Sequence, residues 1–192
     1  MKKIAITGGI GSGKSTVLDI LKNHGYPVMS SDEIVNDLYK KRKIRKMLKE
    51  LFPNAVTGIF LKINRALIAK EIFSNPEKNK VLTDLITPLV IDEIIRRAEK
   101  LTKPCFVEVP LLFECGYAEC FDDVWVVVRD RKDRIESVKK RSNLTEDQVV
   151  SRMNSQVNYD TLDLNEYTII ENVGDRNALV QTVLKNAQSV TK

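Results

Sequence analysis

Gly8-Gly9-Ile10-Gly11-Ser12-Gly13-Lys14-Ser15 is the stretch that decides the fold, because it matches the phosphate-loop pattern G-x-x-x-x-G-K-[ST] at every fixed position. An apolar strand pattern, Ile4 to Ile6, precedes this loop, and a helical pattern, Ser15 to His24, follows it. This order predicts a loop whose backbone amides surround the phosphates of a bound nucleotide at the start of a helix.

The residue types in this loop predict how ATP and Mg²⁺ are bound. Glycines let the backbone curl tightly, Lys14 neutralises charge on the β- and γ-phosphates, and the Ser15 hydroxyl ligates the metal ion. The motif alone does not separate kinases from GTPase switches or motor-type ATPases, and a chance glycine-rich turn is disfavoured by the flanking strand and helix. We assign a catalytic role to Lys14, metal binding to Ser15, and nucleotide binding to Gly9, Gly11, Ser12, Gly13, Lys14, Ser15 and Thr16.

Apolar runs rich in β-branched residues alternate with helical patterns along the chain, which predicts an α/β fold with a parallel sheet covered by helices. We expect five strands, at Ile4 to Ile6, Pro27 to Met29, Cys105 to Val109, Val124 to Val128 and Tyr167 to Ile170. Residues 33–100 are mostly helical in pattern, and one helix is expected to begin at Thr87-Pro88, because proline is disfavoured inside a helix. Thr145 and Gln148 have the spacing of a capping box, which predicts a helix that continues through Gln156.

The composition limits the partners of this 192-residue chain, whose formal net charge is +5. A basic surface suits nucleic acid or a small molecule that carries several phosphates, and the small molecule is favoured because no Lys/Arg run is interleaved with aromatic residues. No apolar run approaches the ~20 residues of a membrane span, and the apolar stretch at the start is too short for a signal peptide. We therefore expect a cytoplasmic protein with neither nucleic acid nor membrane as a partner.

Two acidic residues follow or end predicted strands, where ligands of an open parallel sheet bind. Asp32 is placed to accept the proton of an attacking hydroxyl or to hold a metal-bound water, and the alternative is a cap for a helix that begins at Glu33. Glu108 ends an apolar strand, where an acid helps to hold Mg²⁺ in phosphate-loop proteins, and the alternative is a solvent-facing acid.

Basic residues are concentrated between residues 131 and 157, in two predicted helices. If this segment forms a lid, Arg134, Arg141 and Arg152 would clamp phosphates and shield the transfer from water. From the residues alone, a solvated helix face is the favoured interpretation of these charges.

Several segments together resemble the dephospho-CoA kinase family. These are the loop Thr7 to Thr16 (TGGIGSGKST), Ser31-Asp32-Glu33-Ile34, LIAKEIFSNP at Leu67 to Pro76, the region Leu85 to Leu89, PLLFE at Pro110 to Glu114, Arg141 with Arg152 and Gln156, and Asn172-Val173-Gly174. The phosphate loop is common to many families, whereas its combination with PLLFE is specific to this one. The resemblance runs essentially from end to end of the chain.

The resemblance implies a single kinase domain over residues 1–192, made of three parts. A nucleotide-binding core would span about residues 1–32, 103–130 and 158–192, with a helical acceptor-binding insert at about 33–102 and a short helical lid at about 131–157. The implied reaction is transfer of the γ-phosphoryl group of ATP to the ribose 3′-hydroxyl of dephospho-CoA. Asp32 and Arg141 would be catalytic with Lys14, and Asp32, Arg65 and Glu108 would bind substrate.

Three positions depart from the family pattern. Thr87 stands where the family usually has histidine before proline, Asn64 stands where aspartate often precedes arginine, and Glu108 replaces a common aspartate. A nucleoside or nucleotide kinase of related topology, a phosphate-loop switch or nucleic-acid-dependent ATPase, and a non-catalytic binding protein remain as alternative functions. An acceptor screen separates the two kinases, and the intact Lys14, Ser15 and Asp32 argue against the non-catalytic protein. The sequence leaves the oligomeric state open.

Overall fold

The computed structural model describes residues 1–142 and 144–191, which form two compact units. The first unit contains Met1–Ser31 and Ile95–Lys192, and the second contains Asp32–Ile94. The first therefore includes the phosphate loop together with the segment expected to form the lid. Among the described helices, none combines the length and the apolar character needed to cross a membrane.

Each of the two units contains one of the two described sheets. In chain order the strands are β1 (Lys3–Thr7), β2 (Val28–Ser30), β3 (Val56–Thr57), β4 (Lys62–Ile63), β5 (Cys105–Glu108), β6 (Asp123–Val128) and β7 (Thr168–Glu171). The first unit has a five-stranded parallel sheet in the order β2-β5-β1-β6-β7, as the sequence predicts. The second unit has the antiparallel hairpin β3-β4, which no pattern in the sequence predicted.

Helices flank this sheet and make up most of the second unit. They are α1 (Lys14–Asn23), α2 (Ser31–Leu38), α3 (Arg42–Leu51), α4 (Arg65–Ser74), α5 (Pro76–Ala98), α6 (Arg131–Ser142), α7 (Glu146–Asn154) and α8 (Arg176–Val190). Both hydrogen bonds of the predicted capping box are present, since Thr145 and Gln148 satisfy each other's backbone amides at the start of α7. This helix ends at Asn154, so Gln156 lies in the following segment and not in the helix as predicted.

Alternate residues of a strand point to opposite faces of a sheet, and both faces of the parallel sheet are buried. On one face Ile4, Ile6 and Trp125 pack in a cluster with the apolar stripes of α1 and α8. On the other face Ala5 and Val126 belong to a second cluster. The continuous apolar runs read from the sequence are therefore central strands that fix the loop following β1.

The helix expected to begin at Thr87-Pro88 begins instead at Pro76, and Pro88 lies inside α5. Asn75 provides the true start, because its side chain accepts a hydrogen bond of 3.0 Å from the Lys78 amide. An interior proline costs about 3 kcal/mol. Burial of each large aliphatic side chain contributes about 1.5–3 kcal/mol, so the packing of Leu82, Ile86, Val90 and Ile91 outweighs that cost.

Candidate active site

The phosphate loop connects β1 to α1 and contains three glycines with positive φ angles. Gly13 has φ of 102°, a value that side chains with a Cβ rarely adopt, and a Cβ there would also collide with the Asn172 side chain. The amide of Asn172 donates a hydrogen bond of 2.8 Å to the Ser12 carbonyl. Asn172 follows β7, so the far strand of the sheet holds the end of the loop in place.

Lys14 is buried at the start of α1, and its ammonium group points back over the loop. The Lys14 Nζ donates hydrogen bonds to the Gly8 carbonyl at 2.7 Å and the Gly9 carbonyl at 3.1 Å. These oxygens hold the ammonium group inside the loop, where the sequence predicted that it would meet phosphate oxygens.

Ser15 and Glu108 lie together at the carboxyl edge of the sheet. The Ser15 hydroxyl donates a hydrogen bond of 3.3 Å to Oε1 of Glu108, the last residue of β5. A hydroxyl beside a carboxylate is an oxygen donor set of the kind that Mg²⁺ prefers, with phosphate oxygens and water completing its coordination. The residues present therefore fit a magnesium ion at this position.

Asp32 is the second residue of α2 and is exposed. Ser30 ends β2 beside Glu108 of β5, so Asp32 follows the carboxyl end of the edge strand by two positions. The structure does not match the alternative interpretation, a cap for a helix beginning at Glu33, because α2 already begins at Ser31. Among the described residues, no backbone amide donates a capping hydrogen bond to the Asp32 carboxylate.

Arg134 lies against the phosphate loop. It belongs to α6 and is 6% exposed, and a Cβ on Gly9 would collide with its Nη1 atom. Its Nη2 atom lies 3.1 Å from both carboxylate oxygens of Asp160. The sequence placed Arg134 only within a basic segment, although its spacing from Val138 puts both residues on the same buried face of the helix.

Gln156 links the same region to the loop, because its Oε1 atom accepts a hydrogen bond of 2.8 Å from the Ile10 amide. Arg141 on α6 and Arg152 on α7 are exposed, and neither is among the lining residues of the cavity beside the loop. A cavity of about 290 Å³ lies beside the loop, and Gly9, Arg134 and Gln156 are among its lining residues. This cavity presents polar groups next to the place where phosphates are expected.

The comparisons with known proteins agree with this geometry. The family model "Dephospho-CoA kinase" matches residues 2–188. The chain belongs to the dephospho-CoA kinase family. A dephospho-CoA kinase from Streptococcus pneumoniae is 32% identical over 186 residues, which are 95% of this chain and 92% of that protein.

Solved structures extend the match to the whole fold. A crystal structure of a Thermus thermophilus protein has a TM-score of 0.87 at 30% identity and covers 100% of this chain and 98% of its own. The dephospho-CoA kinase from Campylobacter jejuni has a TM-score of 0.72 at 25% identity, with the same coverage of 100% and 98%. As a member of the dephospho-CoA kinase family, the chain is an ATP-dependent kinase with a small-molecule substrate.

The family segment PLLFE fastens the segment after α7 to the core. Glu114, its last residue, accepts a hydrogen bond of 3.0 Å from the Val157 amide through Oε1. The Tyr159 hydroxyl lies 3.1 Å from that of Thr7, the last residue of β1, and the Phe113 ring packs against the Tyr159 ring. Burial raises the pKa of Tyr159 to about 12, and the Glu114 carboxylate adds to the rise. No sequence pattern pointed to Tyr159 or Asp160.

Arg65 is a predicted substrate-binding residue of the second unit, and it is exposed at the start of α4. Its Nη1 atom donates a hydrogen bond to Asn36, and its guanidinium carbon lies 5.2 Å from the centre of the Tyr39 ring. Burial raises the pKa of Tyr39, and the nearby charge of Arg65 partly opposes the rise. Asn64, which departs from the family pattern, caps α4 by accepting a hydrogen bond of 3.2 Å from the Leu67 amide.

Proposed function

We propose that this kinase transfers the γ-phosphoryl group of ATP to the 3′-hydroxyl of dephospho-CoA, giving coenzyme A and ADP. This is the last step of coenzyme A biosynthesis. The observation that carries the proposal is the family match over residues 2–188, because it includes both the phosphate loop and the insert expected to hold the acceptor. We expect the enzyme in the cytoplasm, with small molecules and neither nucleic acid nor membrane as its partners.

The loop residues Gly9, Gly11, Ser12, Gly13, Lys14, Ser15 and Thr16 would hold ATP. Backbone amides at the start of α1 would bind the phosphates, and Lys14 would exchange its carbonyl partners Gly8 and Gly9 for β- and γ-phosphate oxygens. The buried ammonium group would then neutralise charge that develops on the transferred group.

Ser15 and Glu108 would hold Mg²⁺ at their shared position beside the loop. When bound there, Mg²⁺ would supply positive charge that reduces the repulsion opposing transfer. The Ser15 hydroxyl would be a direct ligand, and the Glu108 carboxylate would orient that hydroxyl or the bound substrate.

Asp32 would act on the acceptor. Its carboxylate would accept the proton of the 3′-hydroxyl while the hydroxyl oxygen bonds to the γ-phosphorus and the bond from that phosphorus to the β-γ bridging oxygen breaks. ADP carries away the electron pair of the broken bond. The exposure of Asp32 and its position two residues beyond β2 support this role.

Arg134 and Arg141 would complete the charge neutralisation. Arg134 is already beside Gly9, so it would contact phosphate without a large movement. Arg141 is exposed near the end of α6, so its catalytic role requires the lid at about residues 131–157 to close over bound ATP. Arg65 would bind the acceptor within the insert at about residues 33–102, and the core at about 1–32, 103–130 and 158–192 would bind ATP.

The test is ADP formation from Mg-ATP by purified protein, with and without dephospho-CoA, followed by mass spectrometry and phosphorus NMR of the product. We expect ADP formation that depends on dephospho-CoA and one phosphate added at the 3′ position. ADP formation that instead requires a free nucleoside or a nucleoside monophosphate would favour the alternative, a nucleotide kinase of related topology. Slow ADP release that no small acceptor stimulates would contradict both kinases.

A further inference from the structure

Gln156 contacts the phosphate loop from the segment that follows α7. We call residues 156–160 the strap. The side-chain oxygen Oε1 of Gln156 accepts a hydrogen bond of 2.8 Å from the backbone amide of Ile10, which is 146 residues away in sequence. The Ile10 side chain packs against the small apolar cluster between α6 and α7. The loop is therefore held at Ile10 through both its backbone and its side chain.

Tyr159 of the strap holds the preceding part of the loop. Its hydroxyl lies 3.1 Å from the Thr7 hydroxyl at the end of β1, and it also accepts a hydrogen bond from the Gly8 backbone. The Tyr159 side chain is buried, so these contacts are shielded from water. Gln156 and Tyr159 together hold the first half of the loop, from the end of β1 to Ile10.

The strap is itself fixed at two points outside the loop. Glu114 of the PLLFE segment accepts a hydrogen bond of 3.0 Å from the Val157 amide. Asp160 forms an ion pair with the buried Arg134 of α6, whose Nη2 atom lies 3.1 Å from both carboxylate oxygens. Because neither anchor belongs to the phosphate loop, the strap holds Gln156 in place whether or not the loop contains a nucleotide.

A loop rich in glycine has more conformational freedom than an ordinary segment, so ordering it around phosphates costs conformational entropy. Contacts that order the loop before the nucleotide binds remove part of this cost from the binding step. The bond to Gln156 is suited to that task, because Ile10 has glycines on both sides, Gly9 and Gly11. A fixed amide at Ile10 limits the conformations of both neighbours.

We infer that Gln156 is a positioning residue for the phosphate loop. It holds the Ile10 amide and thereby keeps the loop in the conformation that accepts the β- and γ-phosphates. The Ile10 amide stays with Gln156 when ATP binds, and the phosphates bind the amides nearer the start of α1. This inference rests on the ATP binding of the proposed function and is independent of the acceptor.

The experiment measures nucleotide affinity of Gln156→Met by calorimetry. Methionine is similar in length but its thioether is a weak acceptor, so the hydrogen bond is lost and most of the packing remains. The Kd values for ATP and ADP should rise about threefold to tenfold, the effect of one hydrogen bond. The Kd of AMP, measured by competition with ATP, should stay within about twofold, because AMP has no β-phosphate for the loop to bind.

Turnover provides a second measurement on the same variant. Gln156 acts through the loop backbone and does not touch the reacting atoms, so KM for ATP should rise with Kd. At saturating ATP, kcat should stay within about twofold of wild type, a range well below the tenfold that corresponds to 1.4 kcal/mol. A fall of kcat by tenfold or more at saturating ATP would contradict a role confined to positioning the loop.

Gln148→Met is the matched control. Gln148 also accepts a hydrogen bond from a backbone amide, that of Thr145 at 3.0 Å, but at the beginning of α7. Its substitution should lower the urea concentration at the midpoint of unfolding and leave the Kd values for ATP and ADP within about twofold of wild type. An equal rise of the ADP Kd in both variants would overturn the inference, because any loosening of α7 would then weaken nucleotide binding.

If Gln156→Met does not fold, amide hydrogen exchange in the wild-type protein decides. The Ile10 amide should be protected from exchange without nucleotide, and its protection should persist in the presence of ATP, because its partner is Gln156 in both states. Rapid exchange at Ile10 in the nucleotide-free protein would overturn the inference.

The failure of this inference and the failure of the proposed function give different results. Unchanged ADP affinity in a folded Gln156→Met protein, or an equal loss for ADP and AMP, would overturn the role of Gln156 and leave the proposed function standing. Failure of the wild-type protein to bind ATP would overturn both.

Discussion

Nη2 of Arg134 lies 3.1 Å from both carboxylate oxygens of Asp160, so an ion pair joins α6 to the segment that follows α7. Arg134 is buried and its guanidinium fills the space above Gly9, whereas the Asp160 side chain is 52% exposed. The pair therefore positions a buried cation at the phosphate loop.

Replacing Gly9 by alanine tests the contact between the loop and Arg134. A Cβ at this position would collide with Nη1 of Arg134, so Gly9→Ala should lower the free energy of unfolding by about 1–3 kcal/mol. In an Arg134→Ala background the collision partner is absent, and the cost of Gly9→Ala should nearly vanish. Urea unfolding without nucleotide completes the double-mutant cycle. An equal cost in both backgrounds would contradict the described contact.

Substitution of Arg134 should lower the affinity for ATP, whereas substitution of Arg141 should lower kcat. Arg134→Lys retains the charge but loses the planar guanidinium beside Gly9, so ATP affinity measured by calorimetry should fall about tenfold or more. Arg141 is exposed, so Arg141→Ala should lower kcat at saturating substrates while ATP affinity without acceptor changes by less than about threefold, under 1 kcal/mol. Unchanged kcat in Arg141→Ala would remove Arg141 from the catalytic residues.

Asp32→Asn tests the proposed base with a nearly isosteric side chain. Turnover should fall about 100-fold or more because the amide cannot accept the hydroxyl proton, while ATP affinity should stay near wild type. Lys14→Ala should differ, since it removes charge from the phosphate site and weakens both binding and transfer. Wild-type turnover of Asp32→Asn under conditions where chemistry limits the rate would show that Asp32 is not the base.

Ser15→Ala should raise the Mg²⁺ concentration that gives half-maximal activity, by about tenfold. The hydroxyl is the proposed metal ligand, and its loss leaves Glu108 without the hydrogen bond of 3.3 Å. Glu108→Gln should produce a smaller increase, because an amide oxygen remains. Ser189→Ala on α8 is a matched control far along the chain and should not alter the Mg²⁺ titration. An unchanged titration for Ser15→Ala would refute the assignment of metal binding to Ser15.

The sequence predicted the parallel sheet and the phosphate loop because both depend on local patterns. Runs of β-branched residues are typical of central strands, and glycines at fixed spacing are typical of the loop, so each can be recognised within a short stretch of sequence. The capping box at Thr145 and Gln148 is equally local, and both of its hydrogen bonds are present.

What the sequence missed depends on tertiary packing. Pro88 reads as a helix start, but burial of the aliphatic face on either side keeps α5 continuous. The positions of Arg134 and Asp160 depend on α6 packing beside the loop, and Asp160 is 26 residues away in sequence. The β3-β4 hairpin has strands of only two residues, too short for a periodic pattern.

Alkaline pH should weaken the stabilising effect of the Tyr159 hydroxyl. Its folded pKa of about 12 lies above the ordinary value of 10.0, so the neutral phenol stabilises the fold fully below pH 10 and this contribution is lost as pH rises towards 12. At pH 8, Tyr159→Phe should be less stable by about 1 kcal/mol, because Thr7 loses its partner. Urea unfolding between pH 8 and 11 should show this difference narrowing above pH 10, since only the wild-type unfolded chain gains this phenolate. A difference that stays constant across the range would show that the Tyr159 hydroxyl ionises equally in the folded and unfolded states.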